Sequence, residues 1–370
     1  ADARRVAPLD AALPAAIAGY LLASPSPDAA QALVLLGDAI RLSPRDQSLR
    51  EHAAHVALLA GQTLLAREQA ETLAASDRRR AVILAEIAIA EGDGPAAMKE
   101  IERLVPTANE AHDASERAID RGLAALRASA LVLSGGAQEV DAHALDGGIV
   151  PVTRMIPRAE HRVLVVRCAA EGIDPVLVAH VAAEYLHRTF DEEIVSIARS
   201  AASQALVVGT TSAATAAFRA ALACGDEGLA ARVRESLAVP REARASAGLR
   251  REEAVASLER EPTRSRRLAL ELLEEEPEDH ESALIAAAAA IALHAPTSAD
   301  VDRVARAPRT PEAHLLSARM AQLRGLDAEA RRAALDGLAL AARRAYVARD
   351  TREALQAIVE REVAAGPDAG

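Results

Sequence analysis

Along this 370-residue chain the apolar positions recur at intervals of three and four rather than two, the period of helices that bury one face. Caps and breakers divide that pattern. A first pair of helices is expected over 8–22 and 28–42 and stops at Pro44, and further pairs fill 48–76 and 79–104. Pro106 interrupts, and a longer helix over 108–133 runs into Ser134, Gly135 and Gly136. From there to Pro157 the sequence is marked by Gly147, Gly148 and Pro151, which reads as a linker or an ordered excursion. Helical pairs resume at Arg158, with breaks near Gly172, Gly209, Gly225, Pro240, Pro262, Pro277, Pro296 and Pro311, and the last ends near Ala364. Residues favouring strands gather only at 149–152 and 163–166. Two short strands are the alternative there, although 162–170 reads better as a helix. The expected organisation is an N-terminal helical-repeat block over 1–134, the Gly/Pro-marked segment 135–157, and a C-terminal helical-repeat block over 158–370.

Inside this pattern one phrase, Ala-x2-Ala-x3-Gly-x4-Ala, occurs four times. It reads Ala54, Ala57, Gly61, Ala66; Ala85, Ala88, Gly92, Ala97; Ala202, Ala205, Gly209, Ala214; and Ala318, Ala321, Gly325, Ala330. Alanines three apart share a helix face and let a partner helix come close, the glycine supplies a turn, and the last alanine lies in the returning helix. The returning helix continues the stripe with Ala70 and Leu73, Ile101 and Leu104, Phe218 and Ala221, and Ala334 and Gly337.

These hairpins resemble the tetratricopeptide repeat (TPR) family. Its pattern sets a small residue in helix A, Gly at the turn, Ala-x3-aromatic-x2-Ala in helix B and a following Pro, at a period of about 34 residues. Ala214, Phe218 and Ala221 fit helix B, and Ala32, Leu36, Ala39 and Pro44 fit it with Leu for the aromatic. The Trp and Tyr positions of helix A are missing, so the repeats are degenerate. The step from Gly61 to Gly92 is close to one repeat, whereas Gly92 to Gly209 and Gly209 to Gly325 are each about three and a half periods, which implies an insert or a phase slip.

The resemblance implies an all-α fold, a right-handed superhelix of antiparallel helix pairs, with a concave groove lined by helix A that docks a protein or peptide. Carried over in register, the groove positions are His52, His55, Arg79, Glu86, Arg199, Ser203, Arg319 and Gln322. The carboxylate clamp of the chaperone-binding members, built from Lys and Asn, is excluded in its usual form because Lys99 and Asn109 are the only residues of their types.

Composition narrows the class. Hydrophobic residues make up 51% of the chain, enough for a long solenoid, and the dominance of Ala, Leu, Arg and Glu favours helix. Arginine in place of nearly all lysine fits a GC-rich bacterial genome. A net charge of −11 and three Tyr, two Phe and no Trp argue against a nucleic-acid partner, which needs a basic surface and stacking platforms. The longest apolar run, 283–293, is too short to span a membrane. Cys168 and Cys224 read as small buried hydrophobes. The chain starts at Ala1, and the apolar stretch 11–23 is broken by Pro14 and reads as an amphipathic helix. The compartment stays open between a bacterial cytoplasm and, if this is a signal-cleaved mature end, the periplasm or envelope.

Candidate chemistry is sparse. His180, Glu184 and His187 share a helix face at metal-ligand spacing, but no second Glu-x-x-His set completes a site. Glu51, His52 and His55 form a weaker cluster. The acidic stretch 274–281 around Pro277 reads as a solvated turn. With no phosphate loop, zinc-finger spacing or nucleophile elbow, no catalytic residue, metal or cofactor is expected. The leading expectation is a non-catalytic scaffold or adaptor for a protein or peptide partner, as one subunit of a larger assembly. The alternative is a ligand-sensing or regulatory module of a longer signalling or transcription protein, and a helical enzyme comes third.

Overall fold

The computed structural model describes residues 11–23, 28–104, 114–146, 148–237 and 243–365. Among them all regular elements are helical. The α-helices are α1 (Ala12–Ala23), α2 (Ala29–Leu42), α3 (Gln47–Leu59), α4 (Thr63–Glu71), α5 (Arg78–Glu91), α6 (Gly94–Glu102), α7 (Ala114–Leu133), α8 (Ile149–Thr153), α9 (Arg158–Ala170) and α10 (Pro175–Leu186). The series continues with α11 (Glu192–Val208), α12 (Thr211–Ala223), α13 (Glu227–Leu237), α14 (Ala243–Ser257), α15 (Pro262–Glu275), α16 (His280–Ala292), α17 (Ser298–Arg306), α18 (Pro311–Leu323), α19 (Asp327–Ala341) and α20 (Arg349–Ala365). A 3-10 turn, Ala142–Ala144, precedes α8.

The β-favouring residues at 149–152 therefore lie in a helix, and those at 163–166 lie inside α9, so the strand alternative is overturned. Both clusters bury apolar side chains. Ile149, Val152, Leu164 and Val165 are buried, and helix satisfies their backbone locally where two isolated strands would have no sheet to join.

Two compact units form. One contains residues up to Gly136 together with Ala342–Tyr346, and the other contains Ala137–Ala341 and the chain from Val347 on. In the first unit α3, α5 and α7 stack on one another, each also packing on the helices next to it in sequence. In the second, α8, α10, α12, α14, α16, α18 and α20 form an unbroken stacked series. From α10 onward these helices start at Pro175, Thr211, Ala243, His280, Pro311 and Arg349, steps of about one tetratricopeptide period. The chain is thus built of TPR-like helix pairs.

The recurring phrase has a specific job in these pairs. All twelve of its alanines are buried, and its four glycines all adopt left-handed φ, from 71° to 85°. At three of the turns the alanine four residues before the glycine accepts the hydrogen bond that closes the helix end. Gln62 N donates to Ala57 O at 2.8 Å, Asp93 N to Ala88 O at 2.8 Å and Leu326 N to Ala321 O at 2.9 Å. The spacing Ala-x3-Gly is therefore set by the cap, and Ala-x2-Ala by the helix contact.

The phase slip is visible too. Gly61, Gly92 and Gly325 end α3, α5 and α18, which belong to stacked series, whereas Gly209 ends α11, a helix of the alternate series. Counting from a turn that leaves the stack to one that enters it adds half a repeat.

Candidate functional site

Four of the eight sequence-derived positions lie on two packed helices of the first unit, and two of them, His55 and Glu86, meet. His52 and His55 lie on α3, Arg79 and Glu86 on α5. His55 Nδ1 sits 3.1 Å from Glu86 Oε2, and Arg79 reaches Glu51 Oε2 at 3.1 Å and Asp77 at 2.7 Å. The bond to Glu86 raises the His55 pKa against the opposing effect of burial, helped by the charges of Glu86 and Glu51. The other four positions are dispersed. Arg199 and Ser203 lie on α11, where Arg199 pairs with Asp226 at 3.0 Å and the Ser203 hydroxyl donates to the Arg199 carbonyl at 3.0 Å. Arg319 is exposed and Gln322 half-buried on α18.

A more extensive polar face was not legible as such. It runs across the stacked helices of the second unit as a ladder of alternating charge: Arg154 from the end of α8, Glu184 on α10, Arg219 on α12 and Glu252 on α14. Arg154 holds Glu184 with two hydrogen bonds, at 2.8 and 2.5 Å, and Arg219 pairs with Glu252. Burial pushes the Glu184 carboxyl up, but the Arg154 bond and charge, with His187 and Arg219, carry it below its ordinary value. His180 and His187 flank Glu184 on the same face, and burial lowers the pKa of both rings. Of the three residues that share metal-ligand spacing, Glu184 is thus held in an ion-pair ladder, and among the described residues no group of three His, Cys, Asp or Glu converges to hold a metal.

The signal that finds this ladder is the sequence separation of its partners. Arg154 and Glu184 are 30 residues apart, Arg219 and Glu252 33, Arg162 and Asp191 29, Arg79 and Glu51 28, and Arg266 and Asp300 34. An arginine and a carboxylate about one repeat apart occupy neighbouring members of a stack.

Beside the ladder, where α10, α12 and α14 end, lies a groove of about 280 Å³ whose apolar wall is Leu186, Phe190, Leu222, Val255 and Leu258 and whose polar side carries His187, Thr189, Glu259 and Arg260. Phe190 is 67% exposed over it. An aromatic ring held in water beside an apolar wall has burial energy in reserve for a partner. Arg188 fixes this corner. Its guanidinium bonds Asp350 at 3.1 and 3.2 Å and donates to the Thr153 and Ile156 carbonyls at 3.2 Å, tying the end of α10 to α8 and α20.

Half of the acidic stretch is paired: Glu275 with Arg250, and Asp279 and Glu281 with Arg251. Cys168 is buried and Cys224 half-buried, both free, and burial pushes both thiols up to about 11. No described helix is long and apolar enough to cross a membrane.

No protein-family profile and no curated protein matches the chain. Among solved structures it is similar to the crystal structure of the P58(IPK) TPR domain, with 14% identity over 98% of this chain and 92% of that one, at a TM-score of 0.24. The repeat assignment rests on the helix pairing, the stacked series and the period of their starts.

Proposed function

We propose that the protein is a non-catalytic helical-repeat scaffold that binds a protein or peptide partner on the face of its stacked helices. The observation that carries this reading is Phe190, two-thirds exposed above a groove with an apolar wall and bordered by an ion-pair ladder whose charges already satisfy one another. Such a face offers a partner an apolar anchor point at its centre and a polar rim that fixes register, the division found in protein interfaces. In the first unit His52, His55, Arg79 and Glu86 offer a second polar face. Arg319 and Gln322 extend the second unit's stack, while Arg199 and Ser203 are on the alternate series.

The test is partner capture from the source organism with the tagged protein, comparing wild type with a Phe190→Asp, Val255→Asp double variant. Both side chains are exposed, so the fold should be retained. The expected result is loss of at least ten-fold of a specific partner that wild type enriches. Equal recovery by the variant would overturn the assignment of this face.

A further inference from the structure

Within the first unit a short strap, Ala342–Tyr346, is seated on the C-terminal ends of α3 and α5. Ala345 N donates to Gly61 O at 3.3 Å, Tyr346 N donates to Ala90 O at 2.7 Å, and the Thr63 hydroxyl donates to Arg343 O at 3.3 Å. Arg344 forms an antiparallel bridge with Gln62. The acceptors are carbonyls at and beside helix ends, where the last turn leaves its C=O groups without intrahelical partners and the helix dipole favours positive charge. The strap brings both complements: backbone N–H donors and two arginines.

Its hold is light. Ala342 and Arg343 are exposed, Tyr346 is 39% exposed, and neither Arg343 nor Arg344 makes an ion pair with any described residue. Tyr346 also sits at φ 54°, a left-handed conformation that disfavours a residue with a side chain. A segment with few buried contacts and a strained residue opens well below the energy of global unfolding. The seat it covers adjoins Glu86, which carries the His55 bond, and burial of the Tyr346 phenol, with a smaller contribution from the Glu86 charge, raises the phenol's pKa.

We propose that this seat is a docking site for a short basic, tyrosine-bearing peptide segment of a partner, which the strap occupies in cis and the partner displaces. This rests on the reading of the protein as a partner-binding scaffold but names a site beside the candidate faces, made of main-chain acceptors at two helix ends.

The experiment uses a fluorescent peptide of residues 340–349 and the full-length chain, either wild type or with residues 342–346 replaced by a Gly-Ser segment of equal length. The replaced protein is expected to bind the peptide saturably and at least ten-fold more tightly than wild type. A peptide N-methylated at the residues corresponding to Ala345 and Tyr346 should lose the binding. Absence of binding by a folded replacement variant overturns the proposal, as does equal binding of the N-methylated peptide. Hydrogen exchange in wild type gives an independent readout should the replacement fail to fold. The Ala345 and Tyr346 amides should exchange far faster than those of Ile87 and Ile89 in α5, and faster still with excess free peptide. Exchange of all four at one common, globally limited rate overturns it. Captured partners with no peptide binding would sink this site and leave the scaffold reading standing; peptide binding without a captured partner would do the reverse.

Discussion

A buried histidine sets the clearest residue-scale expectation. His161 is 0% exposed, its Nε2 lies 2.9 Å from the Val181 carbonyl and its ring meets Tyr185 edge-on, so burial lowers its pKa to about 4. The unfolded chain binds this proton more readily than the folded one. Stability from the site is present above the unfolded value of 6.5 and is lost as pH falls toward 4, by roughly 3 kcal/mol at about 1.4 kcal/mol per unit. Denaturant midpoints measured from pH 7 to pH 4 should therefore fall, and fall less steeply in His161→Phe. His180, His187 and His314 act in the same direction. His55 acts in the opposite one, because its raised pKa contributes below 6.5 and is lost as pH rises through the folded value. A second residue-scale prediction concerns Gly94, where an added Cβ would lie 2.6 Å from Ala130 O and 2.8 Å from Ser134 N at the end of α7. Backbone cannot swing aside like a side-chain tip. Gly94→Ala should lose about 1–3 kcal/mol in equilibrium unfolding.

Between elements the question is how closely helices approach. Ala318 on α18 and Ala330 on α19 are both fully buried in one cluster with Leu355 of α20. Ala318→Leu should overpack this contact and destabilise by about 1–3 kcal/mol, whereas Ala328→Leu, exposed on α19, should stay within about 0.5 kcal/mol. The same contact explains what the sequence could and could not tell. Alanine, glycine and their spacing are local, so hairpins, their turns and the buried stripe were readable: Ala70, Leu73, Ile101, Leu104, Phe218 and Ala221 are all buried as the stripe requires. Which helices stack is decided by contacts a full repeat away. The phrase at Gly209 looks locally like the other three yet belongs to the alternate series, and nothing local to Glu184 shows that its partner is Arg154, 30 residues before it.

At the scale of the molecule, two devices tie repeats into units. Ion pairs one repeat apart link neighbours along a stack, and Arg188 joins α8, α10 and α20 through four hydrogen bonds. Arg188→Ala leaves two carbonyls and a carboxylate without that donor and should cost about 2 kcal/mol, seen as a lower urea midpoint. Under the proposed function, binding is expected on the stacked face beside the ladder and not on apolar side chains in general. Val207 and Leu335 provide the control, being 85% and 47% exposed on helices of the alternate series. Photo-cross-linking in the source organism, with benzoylphenylalanine placed singly at Phe190, Val255, Val207 and Leu335, separates the two possibilities. One common partner should be cross-linked from Phe190 and Val255 and be absent from the other two positions. The same yield from all four, or a partner captured only from Val207 and Leu335, would contradict this expectation.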